Sequence, residues 1–163
     1  MVYIGRYGLT DPVNIREERW QWETNIGKLI LSPTRSFAPV LKQILETQFD
    51  AVFGLIHCSG GGQTKCLKYL PVGVRVVKNN LFEAPEIFRI IQQSSGADDR
   101  EMYQVFNMGC RMEIYTDEKN ADRMISISKD FGIDARVIGR VEAAEQTSLL
   151  IHTAKEEITY FAQ

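Results

Sequence analysis

The chain has 163 residues, of which 44% are hydrophobic, and it carries a formal net charge of -2 at pH 7. This length and composition are typical of one soluble globular domain with a sizeable core. Lys and Arg are dispersed rather than gathered into a basic stripe, which argues against binding to nucleic acid or to an anionic membrane. No apolar run approaches the ~20 residues of a spanning helix, and the N-terminus lacks the apolar region of a signal peptide, so we expect a cytoplasmic protein.

The N-terminal part, residues 1–28, is predicted to be irregular. Turn signals occur at Gly8 and at Asp11-Pro12, and a charged stretch follows. Trp20 and Trp22 alternate as on a strand, but the surrounding charge favours a flap that lies over another part of the protein. We interpret this segment as the end of a preceding region and place the domain itself at residues 29–163.

A helix, a strand and a glycine-rich loop are predicted next. Thr34 is placed to cap the helix, Pro39 is tolerated in its first turn, and the helix should end near Phe49. Its apolar face is formed by residues three and four apart, namely Phe37, Val40, Leu41, Ile44 and Leu45. The apolar run at residues 51–57 predicts a buried strand, and a short helix after the glycines should reach Tyr69.

The rest of the chain alternates between strand and helix signals, without internal repeats. The predicted elements are a strand at 73–77, a helix at 85–96, a helix capped by Asp98, a strand at 109–116, a helix at 117–132, a strand at 135–141 and a hairpin of 149–152 with 156–161. This order indicates an α+β (α/β layered) domain in which helices flank a mixed β-sheet.

Three consecutive glycines, Gly60, Gly61 and Gly62, follow the predicted strand. Glycine takes positive φ without steric cost, and a helix beginning near Thr64 would point its unpaired amides at the same place. Such a strand-to-helix turn can bind an anion such as phosphate. The spacing matches neither GxGxxG nor GxxxxGK[ST], so a tight turn that merely lets a helix pack closely is the alternative interpretation.

The cysteines Cys58, Cys66 and Cys110 are odd in number and lack the spacing of a zinc site. We therefore predict reduced thiols and no metal site. Only Cys58 lies beside the glycines, and a structural role is favoured over a nucleophilic one.

Four separated motifs occur in order along the chain, namely Ser32-Pro33-Thr34-Arg35, His57-Cys58-Ser59-Gly60-Gly61-Gly62, Phe106-Asn107-Met108-Gly109 and Ile138-Gly139-Arg140. A proline-containing helix entry at residues 81–88 supports them. Together they resemble the C-terminal domain of aminoimidazole ribonucleotide synthetase, also called phosphoribosylformylglycinamidine cyclo-ligase, over residues 29–141.

The resemblance implies an enzyme of purine biosynthesis that closes the imidazole ring of formylglycinamidine ribonucleotide. The family uses ATP with magnesium and releases ADP and phosphate. Its members carry an N-terminal domain that supplies most ATP and metal contacts and the dimer interface, and nothing in these residues resembles that domain. We therefore expect residues 1–28 to continue from it, a homodimer at full length, and an isolated chain that is inactive and holds no cofactor itself.

The same resemblance implies roles for residues of the glycine motif. His57 matches the family histidine and suits either proton transfer or a charged hydrogen bond to phosphate. The expected donors to the substrate's phosphate or to the activated oxygen are backbone amides and hydroxyls, namely those of Gly60, Gly61, Gly62, Ser59 and Thr64.

Three further candidates have two interpretations each. Thr34 and Arg35 form either a helix cap with a solvated arginine or a cap whose arginine binds substrate phosphate through its planar fork. Asn107 either hydrogen-bonds the substrate or forms an ordinary turn before Gly109. His152 is expected to be a surface residue.

Five positions depart from the family pattern. Cys58 stands where an aliphatic residue is usual, and Ser59 replaces Thr but keeps a hydroxyl. Gln63, Lys65 and Arg111 are also unusual, and Lys65 adds positive charge near the loop. These changes indicate a subfamily variant with the same reaction class.

Two other functions stay open. One is a domain of another ATP-using relative, such as formylglycinamidine ribonucleotide synthetase, selenophosphate synthetase or a hydrogenase-maturation protein. The other is a non-catalytic phosphate- or ribonucleotide-binding module, which would bind its ligand tightly by itself.

Overall fold

The computed structural model describes residues 6–17, 20–32 and 36–162, with no side-chain description for residues 16–22. The strands are β1 (Pro12–Glu17), β2 (Trp20–Asn25), β3 (Gly54–His57), β4 (Val74–Lys78), β5 (Met112–Tyr115), β6 (Gly139–Ala143), β7 (Ser148–His152) and β8 (Glu157–Phe161). The helices are α1 (Ile26–Ile30), α2 (Ala38–Gln48), α3 (Glu86–Ser95), α4 (Asp99–Val105) and α5 (Glu118–Asp130), with 3-10 segments at Phe49–Ala51 and Gly62–Lys68. Among the described residues, no helix has the length and apolar character needed to cross a membrane.

The strands form one mixed sheet and two antiparallel pairs. The four-stranded sheet has the order β6-β4-β7-β8, in which only the β4–β7 pairing is parallel. β3 pairs with β5, and β1 pairs with β2, each antiparallel. The predicted α+β class with a mixed sheet and helices is therefore confirmed, and the strand that leads into the glycines lies in a separate two-stranded sheet.

Two apolar clusters hold these layers together. In the first, Cys66 of the 3-10 helix packs against Val76, Leu149 and Ile151 of the four-stranded sheet. The second cluster joins α2 and α5 over the β3–β5 pair, through the buried side chains of Val40, Ile44, Met124 and Ile127. Since β3 leads into the glycines and the 3-10 helix follows them, both clusters fix the ends of that loop.

The irregular structure predicted for the N-terminal segment is wrong over most of its described length. β1 and β2 form a hairpin with Pro12 opposite Asn25, and the Asn25 side chain caps α1 by accepting a hydrogen bond from the Lys28 amide at 2.9 Å. Exposed Asn14 precedes buried Ile15, which is the alternation of a strand with one solvated face. Charged residues fit such a face, so the charge in this segment did not exclude a strand.

Several predicted caps and boundaries are confirmed and others shift. The Asp98 carboxylate accepts a hydrogen bond from the Glu101 amide at 2.7 Å, and Gly96 ends α3 at a φ of 74°. α2 begins at Ala38, with Phe37 rather than Thr34 at its cap position, and Thr34 lies outside the described residues. The strand expected at 135–141 is displaced to β6, because the carbonyl of Ile138 is bonded by the amides of residues 79 and 80 before sheet pairing starts.

Candidate functional site

β3 carries His57 to the edge of its sheet. His57 lies opposite Met112 of β5, and the Cys58 amide extends the pairing by donating to the Arg111 carbonyl at 2.8 Å. The chain then turns away, with the Ser59 amide bonded to the His57 carbonyl at 2.7 Å. The exposed imidazole of His57 and the exposed Ser59 therefore open the loop on the side that faces solvent.

The loop that follows has a backbone conformation that favours glycine. The φ angles of Gly60, Gly61 and Gly62 are 58°, 109° and 49°. In the described part of the chain, the amides of Gly60 and Gly61 donate to no backbone carbonyl, so both can donate to a ligand. The expectation that the three glycines take positive φ is confirmed.

The loop is closed from its C-terminal side. Both the amide and the hydroxyl of Thr64 donate to the Gly61 carbonyl, at 3.0 and 2.8 Å. The Lys65 ammonium donates to the Ser59 carbonyl at 2.8 Å. The Thr64 hydroxyl proton is therefore used within the loop, and Lys65, one of the departures from the family pattern, bonds back across the loop to Ser59.

His57 also contacts the segment that precedes α2. The ring of Phe37 meets the imidazole edge-on, with 6.3 Å between centroids. Phe37 follows the motif that contains Thr34 and Arg35, which lie outside the described residues. The structure thus brings the start of α2 to the glycine loop, while the phosphate-binding role of Thr34 and Arg35 stays a prediction.

Asn107 forms a turn. Its side-chain oxygen accepts a hydrogen bond from the Gly109 amide at 3.0 Å, and its carbonyl accepts one from the Cys110 amide at 3.0 Å. Met108 between them has a positive φ of 49°. These contacts support the turn-forming interpretation of Asn107, and a direct contact with substrate stays a prediction.

Glycines of the motifs mark the points where separated segments touch. A Cβ on Gly62 would come to 2.4 Å from the Phe106 carbonyl oxygen. One on Gly109 would come to 2.9 Å from the Glu83 carbonyl oxygen, and one on Gly139 would overlap the Val77 carbonyl. Because these approaches are shorter than a side chain allows, the glycines at these three positions are needed for the segments to pack together.

A buried ion pair lies behind the loop, and the sequence reasoning missed it. Lys78 at the end of β4 and Glu113 in β5 are 1% and 5% exposed, and the Lys78 ammonium lies 2.5 Å from a Glu113 carboxylate oxygen. The ammonium also donates to the backbone and side-chain oxygens of Gln63, at 2.9 and 3.0 Å. Two further donors reach the carboxylate, the Cys58 thiol at 3.0 Å and the Tyr115 hydroxyl at 2.9 Å.

The electrostatics of this cluster favour the charged pair and protonated neighbours. Burial, the largest single effect, lowers the pKa of the Lys78 ammonium, whereas the charge of Glu113 and its hydrogen bond to the ammonium raise that pKa, and the net direction is upward. The pKa of the Cys58 thiol is raised well above its ordinary 9.0 by a hydrogen bond with Cys110, by burial and by the Glu113 charge. Cys58 therefore stays a protonated donor, which argues against a nucleophilic role.

The loop is an open surface feature. Ser59 and Gly60 are exposed, and an open depression lies elsewhere on the described surface, at the end of α2 and the start of α5, where Gln48, Asp50 and Asn120 line it. Ligand sites commonly bury most of the ligand's surface. A ligand held by the loop would thus need a further surface to enclose it.

Comparison with known proteins agrees with this geometry. Residues 33–152 match the family model described as AIR synthase related protein, C-terminal domain. Phosphoribosylformylglycinamidine cyclo-ligase from Methanobrevibacter smithii is 33% identical over 138 residues, which are 85% of this chain and 39% of that protein. The protein of the same name from Methanococcus vannielii is 40% identical over 114 residues, which are 69% of this chain and 32% of that protein.

A solved structure shows the same fold at low sequence identity. Escherichia coli HypE, a hydrogenase maturation protein, aligns with a TM-score of 0.57 and 15% identity, over 85% of this chain and 45% of HypE. The chain thus spans less than half the length of these relatives. The family match over residues 33–152 and the 33% identity to the Methanobrevibacter smithii protein over 85% of this chain show that it belongs to the AIR synthase related proteins, as a C-terminal domain of that family.

Proposed function

We propose that this chain is the C-terminal domain of a phosphoribosylformylglycinamidine cyclo-ligase, which closes the imidazole ring of formylglycinamidine ribonucleotide at the expense of ATP. The observation that carries the proposal is the open glycine loop beside an exposed histidine, in a chain 33% identical to a protein of that name. We also propose that the protein is located in the cytoplasm.

The loop supplies what the ring closure requires of this domain. The substrate amide oxygen accepts a phosphoryl group from ATP, a nitrogen of the substrate then attacks the activated carbon, and phosphate leaves with that oxygen. We propose that the amides of Gly60 and Gly61, which donate to no backbone carbonyl of the described chain, donate to anionic oxygens, either of the substrate's phosphate or at the reacting carbon. We propose that His57 takes the proton that the attacking nitrogen loses.

We propose that ATP and magnesium are bound by a further domain of the full-length protein. Within residues 6–17, 20–32 and 36–162, no three His, Cys, Asp or Glu side chains cluster in a way that could hold a metal ion. The openness of the loop supports a second surface that encloses the ligand. We propose that this surface is an N-terminal ATP-binding domain continuing into residues 1–28, that the full-length protein is a homodimer, and that the isolated chain is inactive.

The test is to join the chain to the N-terminal domain of the Methanobrevibacter smithii relative and to measure ADP release that depends on formylglycinamidine ribonucleotide. The chain has two histidines, which gives a matched control. His57→Ala should lower kcat by about 100-fold or more, the usual effect of losing a proton-transfer group. His152→Ala should leave kcat unchanged, because His152 is exposed on β7 and contacts Glu157 at 3.2 Å.

A folded fusion without substrate-dependent ADP release would contradict the proposal. Tight binding of the ribonucleotide by the 163-residue chain alone, without turnover in the fusion, would instead favour a non-catalytic binding module. Equal effects of the two histidine substitutions would remove His57 from the mechanism.

A further inference from the structure

Both ends of the loop formed by residues 59–62 are attached to the same buried ion pair. On the N-terminal side, the Cys58 thiol donates to Glu113. On the C-terminal side, Gln63 accepts two hydrogen bonds from Lys78. Because Lys78 and Glu113 contact each other, the two ends of the loop are joined through one ammonium and one carboxylate.

The polar groups of this attachment are paired. The three protons of the Lys78 ammonium have three acceptors, two on Gln63 and one on Glu113. The Gln63 side-chain amide donates to the carbonyls of Asn107 and Cys110, at 2.5 and 3.1 Å. The network therefore also ties the loop to the turn after α4. A network with every member satisfied specifies one arrangement of its neighbours.

Stability alone does not require an ion pair at this position. A buried pair is often replaceable by apolar residues of similar volume with little loss of stability. Apolar residues, however, cannot accept the Cys58 proton or donate to Gln63. We propose that Lys78 and Glu113 are positioning residues that hold residues 59–62 in the conformation that receives an anion, an inference that rests on the proposed anion-binding role of the loop.

The physical benefit is preorganisation. Consecutive glycines have the largest backbone entropy to lose, and the first part of the loop, Ser59 and Gly60, is exposed. A loop that is ordered before binding does not lose that entropy when the ligand arrives, so its affinity is higher. The pair acts through the loop ends and does not itself touch the ligand.

The test uses amide NMR of the 163-residue chain and compares Lys78→Met/Glu113→Leu with the wild type. Lys42→Met/Glu46→Leu is the control, because it makes the same replacements in an exposed pair of α2. The readouts are the backbone order of Gly60 and Gly61 and their response to inorganic phosphate. The double variant at the buried pair should keep the amide signals of its helices and lose backbone order in the loop. It should bind phosphate at least about tenfold more weakly than the wild type. The control should match the wild type.

Wild-type loop order and phosphate affinity in the folded Lys78→Met/Glu113→Leu variant would overturn the inference. If this variant does not fold, Cys58→Ala decides, because it removes the thiol that attaches the N-terminal end of the loop to Glu113 and leaves the ion pair in place. Retained loop order in Cys58→Ala would then overturn the inference. A fusion without cyclase activity but with a loop that depends on the pair would contradict only the proposed function, and an active fusion with an unaffected loop would contradict only the positioning role.

Discussion

Replacing Lys78 with methionine removes an ammonium from a site that water does not reach. The side chains of Lys78 and Glu113 are 1% and 4% exposed, so the variant leaves a buried carboxylate whose remaining donors among the described residues are the Cys58 thiol and the Tyr115 hydroxyl. Breaking a buried pair from one side typically costs about 3–5 kcal/mol of unfolding free energy. At about 2–4 °C per kcal/mol for a chain of this size, the melting temperature should fall by roughly 6–20 °C.

The second replacement, Glu113→Leu, should recover part of this loss. The double variant has no buried charge, but the Gln63 oxygens, the Tyr115 hydroxyl and the Cys58 thiol lose partners, which costs about 1–3 kcal/mol for each buried group left unpaired. Urea unfolding of the wild type, both single variants and the double variant gives the coupling free energy. We expect the double variant to be more stable than Lys78→Met. A single-variant loss below about 1 kcal/mol, or a double-variant loss equal to the sum of the singles, would refute the reasoning.

Two other predictions concern the loop and the buried thiols. Gly60 and Gly96 both have positive φ, at 58° and 74°, with no atom near the position of a Cβ. Alanine at either should therefore cost a similar ~1–2 kcal/mol of stability, while only Gly60→Ala weakens phosphate binding measured by calorimetry. Equal phosphate affinity in both variants would contradict the role of the loop. The pKa values of Cys58 and Cys66 are raised from 9.0, so the folded state keeps thiol protons that the unfolded state loses as the pH rises. Below about pH 9 these thiols should not lower the free energy of unfolding. Above that pH the free energy of unfolding should fall by up to ~1.4 kcal/mol per pH unit for each thiol. Urea unfolding between pH 8 and 10 should show that the free energy of unfolding falls less steeply in the variant Cys58→Ala/Cys66→Ala than in the wild type. An unchanged slope would show that these thiols do not cause the fall.

Local signals predicted the parts of the fold that local chemistry determines. The Asp98 carboxylate caps α4, and this cap is predictable because the bonded amide of Glu101 is only three residues further along the chain. Gly96 ends α3 since its positive φ is a property of one residue. The positive φ angles of the three loop glycines follow from the same freedom of the glycine backbone.

Pairing between distant segments could not be predicted in this way. The pairing of β3 with β5 joins residues more than fifty positions apart, and nothing in either segment specifies the partner. The charge of the N-terminal segment hides the hairpin of β1 and β2 in the sequence, although Asn14 and Ile15 show the alternation of a half-exposed strand.

The buried pair had a weak signal in the sequence. Lys78 is two residues after Val76, so both point to the same side of β4, and a lysine at the inward position of an apolar strand needs a buried partner. Glu113 is likewise the buried residue of β5. Each residue alone is consistent with a strand end or a solvated face, and only the three-dimensional structure shows that they meet behind the glycines.

The role of the loop is tested most directly by amide NMR of the 163-residue chain titrated with formylglycinamidine ribonucleotide, since NMR detects binding that is weak without a second domain. We predict that the signals of His57, Gly60 and Gly61 shift together and saturate, while those of the distant glycines Gly96 and Gly132 stay in place. Saturable shifts confined to the depression around Gln48 and Asn120, or no shifts at high ligand concentration, would contradict the assignment of the glycine loop as the substrate site.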